Sequence, residues 1–121
     1  MVRRSKAETF FSGFYELPGG KVDFKEAPQD AVIREVFEET NLQINVRSTF
    51  DCRSYMSKDE QQHNIEIFFI ATVNSETPNV QLSEEHDDYK WIDKTTLEET
   101  QLNSTDPIRM VIEEYFETRK V

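Results

Sequence analysis

With 121 residues, 36% of them hydrophobic and 12% aromatic, the chain has material for one modest core and reads as a single domain over residues 1–121. Its formal net charge of -10 argues against a surface that tracks nucleic-acid backbone, because such surfaces need basic patches to displace counterions. The single cysteine, Cys52, excludes an internal disulfide and makes a reducing cytoplasm the expected location, with no signal sequence or membrane span expected.

Lys6 to Tyr15 reads as a polar and aromatic loop with Gly13 as its flexible point. Phe14-Tyr15-Glu16-Leu17 is then a short strand entering the Pro18-Gly19-Gly20 turn, where glycine lets the backbone approach a ligand closely. Asp30 to Thr40 contains neither glycine nor proline and reads as a helix. Pro28 suits its first turn, and Asn41 can adopt the left-handed conformation that ends it.

At about 100° per residue, Glu35, Glu38 and Glu39 share one face of this helix, while Val32, Ile33, Val36 and Phe37 take the other. Glu35 and Glu39 are four residues apart and repel, and Glu38 and Glu39 stand in the last turn, where the helix dipole disfavours negative charge. Arg34 neutralises only part of this. A hard divalent cation, which takes a few carboxylates plus water and phosphate oxygens, suits the remainder, although a solvated amphipathic face is the bland alternative.

Leu42, Ile44 and Val46 start a strand that continues through Phe50 towards Tyr55. Residues 65–73 form the most hydrophobic strand, expected to be central and covered on both faces. Val80-Gln81-Leu82 and Tyr89 to Asp93 are expected as two more strands, flanking the acidic loop Ser83 to Asp88. Leu97 and Leu102 belong to a short helical turn. Asp106-Pro107 is expected to cap a last helix, whose core stripe is Ile108, Val111, Ile112, Tyr115 and Phe116. Strands alternating with two helices predict an α/β sandwich, a mixed sheet with a helix on either side.

From Gly20 the chain runs glycine, five residues, Glu26, seven residues, Arg34-Glu35-Val36, one residue, Glu38-Glu39, one residue, then Asn41-Leu42. This spacing, preceded by Glu16-Leu17-Pro18-Gly19-Gly20, closely resembles the signature of the Nudix (MutT-like) hydrolases, with Asn41 standing where that signature carries glycine. The resemblance implies a Nudix-type α/β/α sandwich. Such domains place a strand ahead of Val2-Arg3-Arg4-Ser5, so the usual first strand is expected to be missing, leaving an edge that a homodimer could cover.

The resemblance also implies hydrolysis of a nucleoside diphosphate linked to another group, with Mg2+ or Mn2+. Glu35, Glu38, Glu39 and the Gly19 carbonyl would hold the metal. Arg34 would orient Glu35, Glu26 would pair with Arg34, and Glu35 or Glu85 would serve as base, with Glu84 behind Glu85. His86 is expected to be structural or a substrate contact, and Arg3 and Arg4 could grip phosphate or base. The double arginine before the Glu-Leu-Pro-Gly-Gly approach resembles the branch that cleaves (deoxy)nucleoside triphosphates, including oxidised ones, to monophosphate and pyrophosphate. ADP-ribose and dinucleoside polyphosphates are the alternative substrates. A non-catalytic nucleotide-binding module and an acidic interaction protein without a ligand site are the alternative classes.

Overall fold

The computed structural model describes residues 1–6, 12–57, 59–102 and 108–118. Its strands are β1 (Val2–Arg4), β2 (Tyr15–Glu16), β3 (Ile44–Met56), β4 (His63–Val73) and β5 (His86–Tyr89). Its helices are α1 (Pro28–Thr40), α2 (Lys94–Leu97) and α3 (Ile108–Thr118). Strand β1 lies between β2 and β5 in an antiparallel sheet, and β3 and β4 form a separate antiparallel pair. A parallel bridge joins Tyr15 to Leu102.

Helix α1 begins at Pro28, whose missing N–H costs nothing in the first turn, and ends at Asn41 with φ 65°. There the Asn41 N–H donates to the Phe37 carbonyl at 2.8 Å. Val36 is buried as expected, but Ile33 and Phe37 on the same apolar side remain partly exposed. A buried apolar cluster gathers around α2 and α3. Leu97, Ile108 and Ile112 are buried together, with Met1, Ile92, Leu102 and Phe116 packed around them, and Tyr115 of α3 meets Phe50 of β3 edge to face.

Four sequence expectations change. Strand β4 pairs only with β3 among the described residues, and Ile65 is 65% exposed, so β4 is neither central nor covered on both faces. Hydrophobic content alone does not reveal how many neighbours a strand acquires. Val80-Gln81-Leu82 is not a strand. Instead the Gln81 and Ser83 N–H groups donate to the Thr40 and Glu39 carbonyls at 2.9 and 3.2 Å, serving acceptors that the end of α1 leaves unpaired. The last strand is displaced from 89–93 to His86–Tyr89, because Asp93 leaves the sheet to cap α2 through Thr95 and Thr96. Leu102 bridges Tyr15 rather than belonging to a helix. The expected Asp106-Pro107 cap, and part of the loop from Lys6 to Tyr15, lie outside the described residues. No helix among the described residues is long and apolar enough to cross a membrane.

The turn before α1 holds one strained position. Lys25 has φ 67°, a conformation that costs a residue with a Cβ roughly 1–2 kcal/mol and glycine almost nothing. Lys25→Gly is therefore expected to raise stability by about 0.5–1 kcal/mol, after the greater chain entropy of glycine is deducted. Chemical denaturation checks this; a lowered midpoint would show that the Lys25 contact with the Phe24 ring, at 5.7 Å, outweighs the strain.

Candidate functional site

The carboxylates of α1 divide into two environments. On one side Arg34 gathers its neighbours: Nε donates to Glu26 Oε2 at 2.8 Å, Nη2 to Glu26 Oε1 at 3.0 Å, and Nη1 to Glu35 Oε1 at 2.7 Å. The same guanidinium reaches the Lys21 carbonyl at 3.1 Å and Glu38 Oε2 at 3.3 Å. Arg34 thus ties the loop, Glu26 and Glu35 to one another. Its hydrogen bonds, with the Asp23 N–H, hold the Glu26 carboxyl down at about 2, and Glu26 and Glu35 in turn raise Arg34.

Glu35 also presses on the turn. A Cβ at Gly20 would stand 2.6 Å from the Glu35 carboxylate carbon and 2.6 Å from Oε2, so only glycine leaves room for this carboxylate. Glu35 Oε1 is committed to Arg34, and Oε2 is the oxygen nearer the glycine turn, at 2.6 Å from a Gly20 Cβ against 3.0 Å for Oε1.

Glu39 lies in the second environment. Its side chain is buried at the negative end of α1, and the Gly19 N–H contacts both carboxylate oxygens at 3.3 Å. Burial pushes its pKa up to about 7, helped by the Glu16 and Glu35 charges and opposed by the Gly19 N–H and His86. One ligand atom each from Glu39, Glu85 and His86 lie within 4.8 Å of one another. His86 is buried and its Nε2 stands 2.8 Å from Glu16 Oε1, which is 3.6 Å from Arg4 Nη1. Burial works against a charged imidazole, but Glu16, Glu39 and Glu85 outweigh it and raise the His86 pKa.

The structure therefore brings Gly19, Glu39 and Glu85 together, keeps Glu35 and Glu26 on Arg34, and leaves Glu38 exposed at the edge of the Arg34 group. Arg4 faces this cluster through Glu16. Arg3 does not; it pairs with Asp87 at 2.7 Å and lies over the Tyr15 ring on the opposite face of the sheet. Sequence reasoning did not single out Glu16, the partner of His86. Glu16 could have been flagged as the charged residue of a short strand running into the glycine turn, but its partner lies 70 residues away.

Hard carboxylate oxygens beside a buried, cation-poor Glu39 fit a divalent ion, and the imidazole of His86 leaves room for Mn2+ as well as Mg2+.

A family model described as NUDIX domain matches residues 1–111. Over 63 residues the chain is 41% identical to an ADP-ribose pyrophosphatase of Methanocaldococcus jannaschii, covering 52% of this chain and 37% of that protein. Over 71 residues it is 31% identical to an 8-oxo-dGTP diphosphatase of Proteus vulgaris, covering 59% of this chain and 62% of that protein. Both matches span less than two thirds of the relative's length. A MutT protein of Methanosarcina mazei Go1 has the same fold with a TM-score of 0.80 at 26% identity, covering 99% of this chain and 83% of that one.

Gly20→Ala is expected to displace the Glu35 carboxylate from Arg34 and to cost at least about tenfold in turnover, while changing stability by less than about 1 kcal/mol, because the atoms displaced end a flexible side chain. Parallel kinetics and thermal melts check this; a large loss of stability would show that the backbone, not Glu35, gives way.

Glu39 also sets a pH dependence. In the cation-free protein it keeps its proton to about 7, whereas a free glutamate ionises near 4.5. The folded state holds the extra proton between these values, so this contribution to stability is full below about pH 4.5 and is lost as pH rises through about 7. Denaturation of wild type and Glu39→Gln between these limits is expected to show a falling difference in favour of wild type; parallel curves would refute the raised pKa.

Proposed function

The chain belongs to the NUDIX domain family, and on that premise we propose that it is a divalent-cation-dependent pyrophosphohydrolase of nucleoside diphosphate derivatives. The observation that carries this reading is the convergence of Glu39, Glu85 and His86 beside the Gly19-Gly20 turn.

In this reading Glu39 and Glu85 would hold the cation, Mg2+ or Mn2+, with Glu38 and the Gly19 carbonyl completing the protein's share while Glu35 stays on Arg34. With the cation in place, the chemistry supplied is neutralisation of pyrophosphate charge and polarisation of the phosphorus under attack. The protein's own part is positioning and proton transfer. Arg34 locks Glu35 Oε1, leaving Oε2 to take a proton from the attacking water, and Glu85 is the alternative base where it does not hold the cation. Glu26 holds Arg34 from the loop side, so the orientation of Glu35 is fixed before substrate arrives. Arg4 meets phosphate from the strand side.

For substrate we favour (deoxy)nucleoside triphosphates, oxidised ones included, cleaved to monophosphate and pyrophosphate. The relative named 8-oxo-dGTP diphosphatase, matched over 62% of its length, supports this. ADP-ribose is the second reading, supported by the higher identity to the ADP-ribose pyrophosphatase over a shorter share of that protein. The proposal includes one domain over the whole chain, a cytoplasmic location, a nucleotide as partner, neither nucleic acid nor membrane, and self-association along the outer edges of β3 and β4.

Hydrolysis of oxidised and normal nucleoside triphosphates and ADP-ribose, with and without Mg2+ or Mn2+, tests the reading. Cation-dependent turnover of one class is expected, with Glu39→Gln removing most of it while remaining folded. Normal turnover by Glu39→Gln would sink the site assignment, and turnover of ADP-ribose alone would replace the favoured substrate. Light scattering of the same preparation is expected to give a dimer; a monomer removes self-association.

A further inference from the structure

In a regular strand His86 and Asp88, two residues apart, project from the same face. In β5 they do not. Asp88 accepts a hydrogen bond from the Tyr15 hydroxyl on the face that also carries Arg3, whereas His86 meets Glu16 on the opposite face. The cause is register. Arg3 stands opposite Asp88 but Arg4 stands opposite His86, so β5 carries one extra residue, Asp87. Pairing resumes beyond it, where the Ser5 N–H donates to the Glu85 carbonyl at 2.9 Å.

The extra residue is held from outside the strand. Asp87 Oδ1 accepts from Arg3 Nε at 2.7 Å, and the same guanidinium lies 5.9 Å from the Tyr15 ring centroid. Lys90 Nζ sits 4.8 Å from that centroid as well, and the Tyr15 hydroxyl fixes Asp88. All these contacts lie on the face away from the carboxylate cluster. Were Asp87 instead to take the pairing position opposite Arg4, the two-residue period of the strand would return His86 to the Tyr15 face, away from Glu16 and Glu39.

We propose that the Arg3–Asp87 pair holds this bulge and thereby aims His86 into the cluster with Glu39 and Glu85, making Arg3 and Asp87 positioning residues for the reaction. The inference rests on the cation-site reading above for its effect on catalysis, but not for the bulge itself. Both side chains are about one third exposed, so the pair adds little to global stability, and its effect belongs in the geometry of the site.

The test uses the full chain as wild type, Arg3→Gln, Arg3→Lys, Asp87→Asn and with Asp87 deleted. In cation-free protein, the ring 15N shifts of His86 report its bond to Glu16. The deletion leaves His86 beside Asp88 and opposite Arg4, so it is expected to keep that signature; Arg3→Gln and Asp87→Asn, which retain the extra residue but loosen its hold, weaken it, and Arg3→Lys recovers part. An unchanged signature in both point variants overturns the inference, as does its loss in a folded deletion variant. Mn2+ binding followed by electron paramagnetic resonance is expected to weaken about tenfold in Arg3→Gln and Asp87→Asn, with kcat falling more than the nucleotide KM rises. Unchanged Mn2+ affinity with only a raised nucleotide KM would overturn it and make Arg3 a substrate contact. If wild type binds no Mn2+, the cation reading falls, and the His86 signal still decides the bulge.

Discussion

A carboxylate buried at the negative end of a helix is the constraint around which this molecule is arranged. Glu39 has lost its water, faces the carbonyl end of α1 and stands near other acids, three conditions that each oppose its charge. Such a group persists only where neighbours answer for it, and those neighbours come from every part of the chain. Gly19 supplies an N–H from the turn after β2, and His86 supplies an imidazole from the start of β5. Their convergence is the functional reading in physical form: the position is uncomfortable for an isolated protein and comfortable for one that holds a cation.

The other acids of the helix show the contrast. Glu35 and Glu38 stand on the same face as Glu39, but Arg34 shares its guanidinium among them, Glu26 and the Lys21 carbonyl. Charge is settled there within the loop and helix themselves. One helix therefore presents a neutralised, rigid group beside a buried, charge-deficient one, a division suited to an enzyme that must fix some acids and leave another available to a ligand.

How much of this is legible in the sequence follows from the range of the interactions. Helix α1, its proline start and its Asn41 end were legible because they depend on residues within a turn of one another, and so was the Arg34–Glu26 pair, because the motif spacing carried it. The Glu16–His86 bond was not, since it joins residues 70 apart through a strand order and a bulge that no local pattern encodes. The burial of Glu39 was equally hidden. Periodicity places three glutamates on one face as equals, and only the segment folding over the helix end makes one of them different. Strand β4 failed in the reverse sense: Ile65 to Val73 looked central because it is apolar, yet its neighbours were decided elsewhere.

The segment that closes over the helix end has a dynamic consequence. Gln81 and Ser83 donate their N–H groups to the last carbonyls of α1, two residues before Glu85. The backbone that carries Glu85 cannot lift away from α1 without uncovering those carbonyls, and the helix end cannot fray without releasing the segment. The two acids therefore belong to one cooperative opening unit, whose closed population sets how often both are present at once. A substrate or inhibitor that grips both acids would slow amide exchange along residues 37–41 and 81–86 together, a shared signature between stretches of chain some forty residues apart.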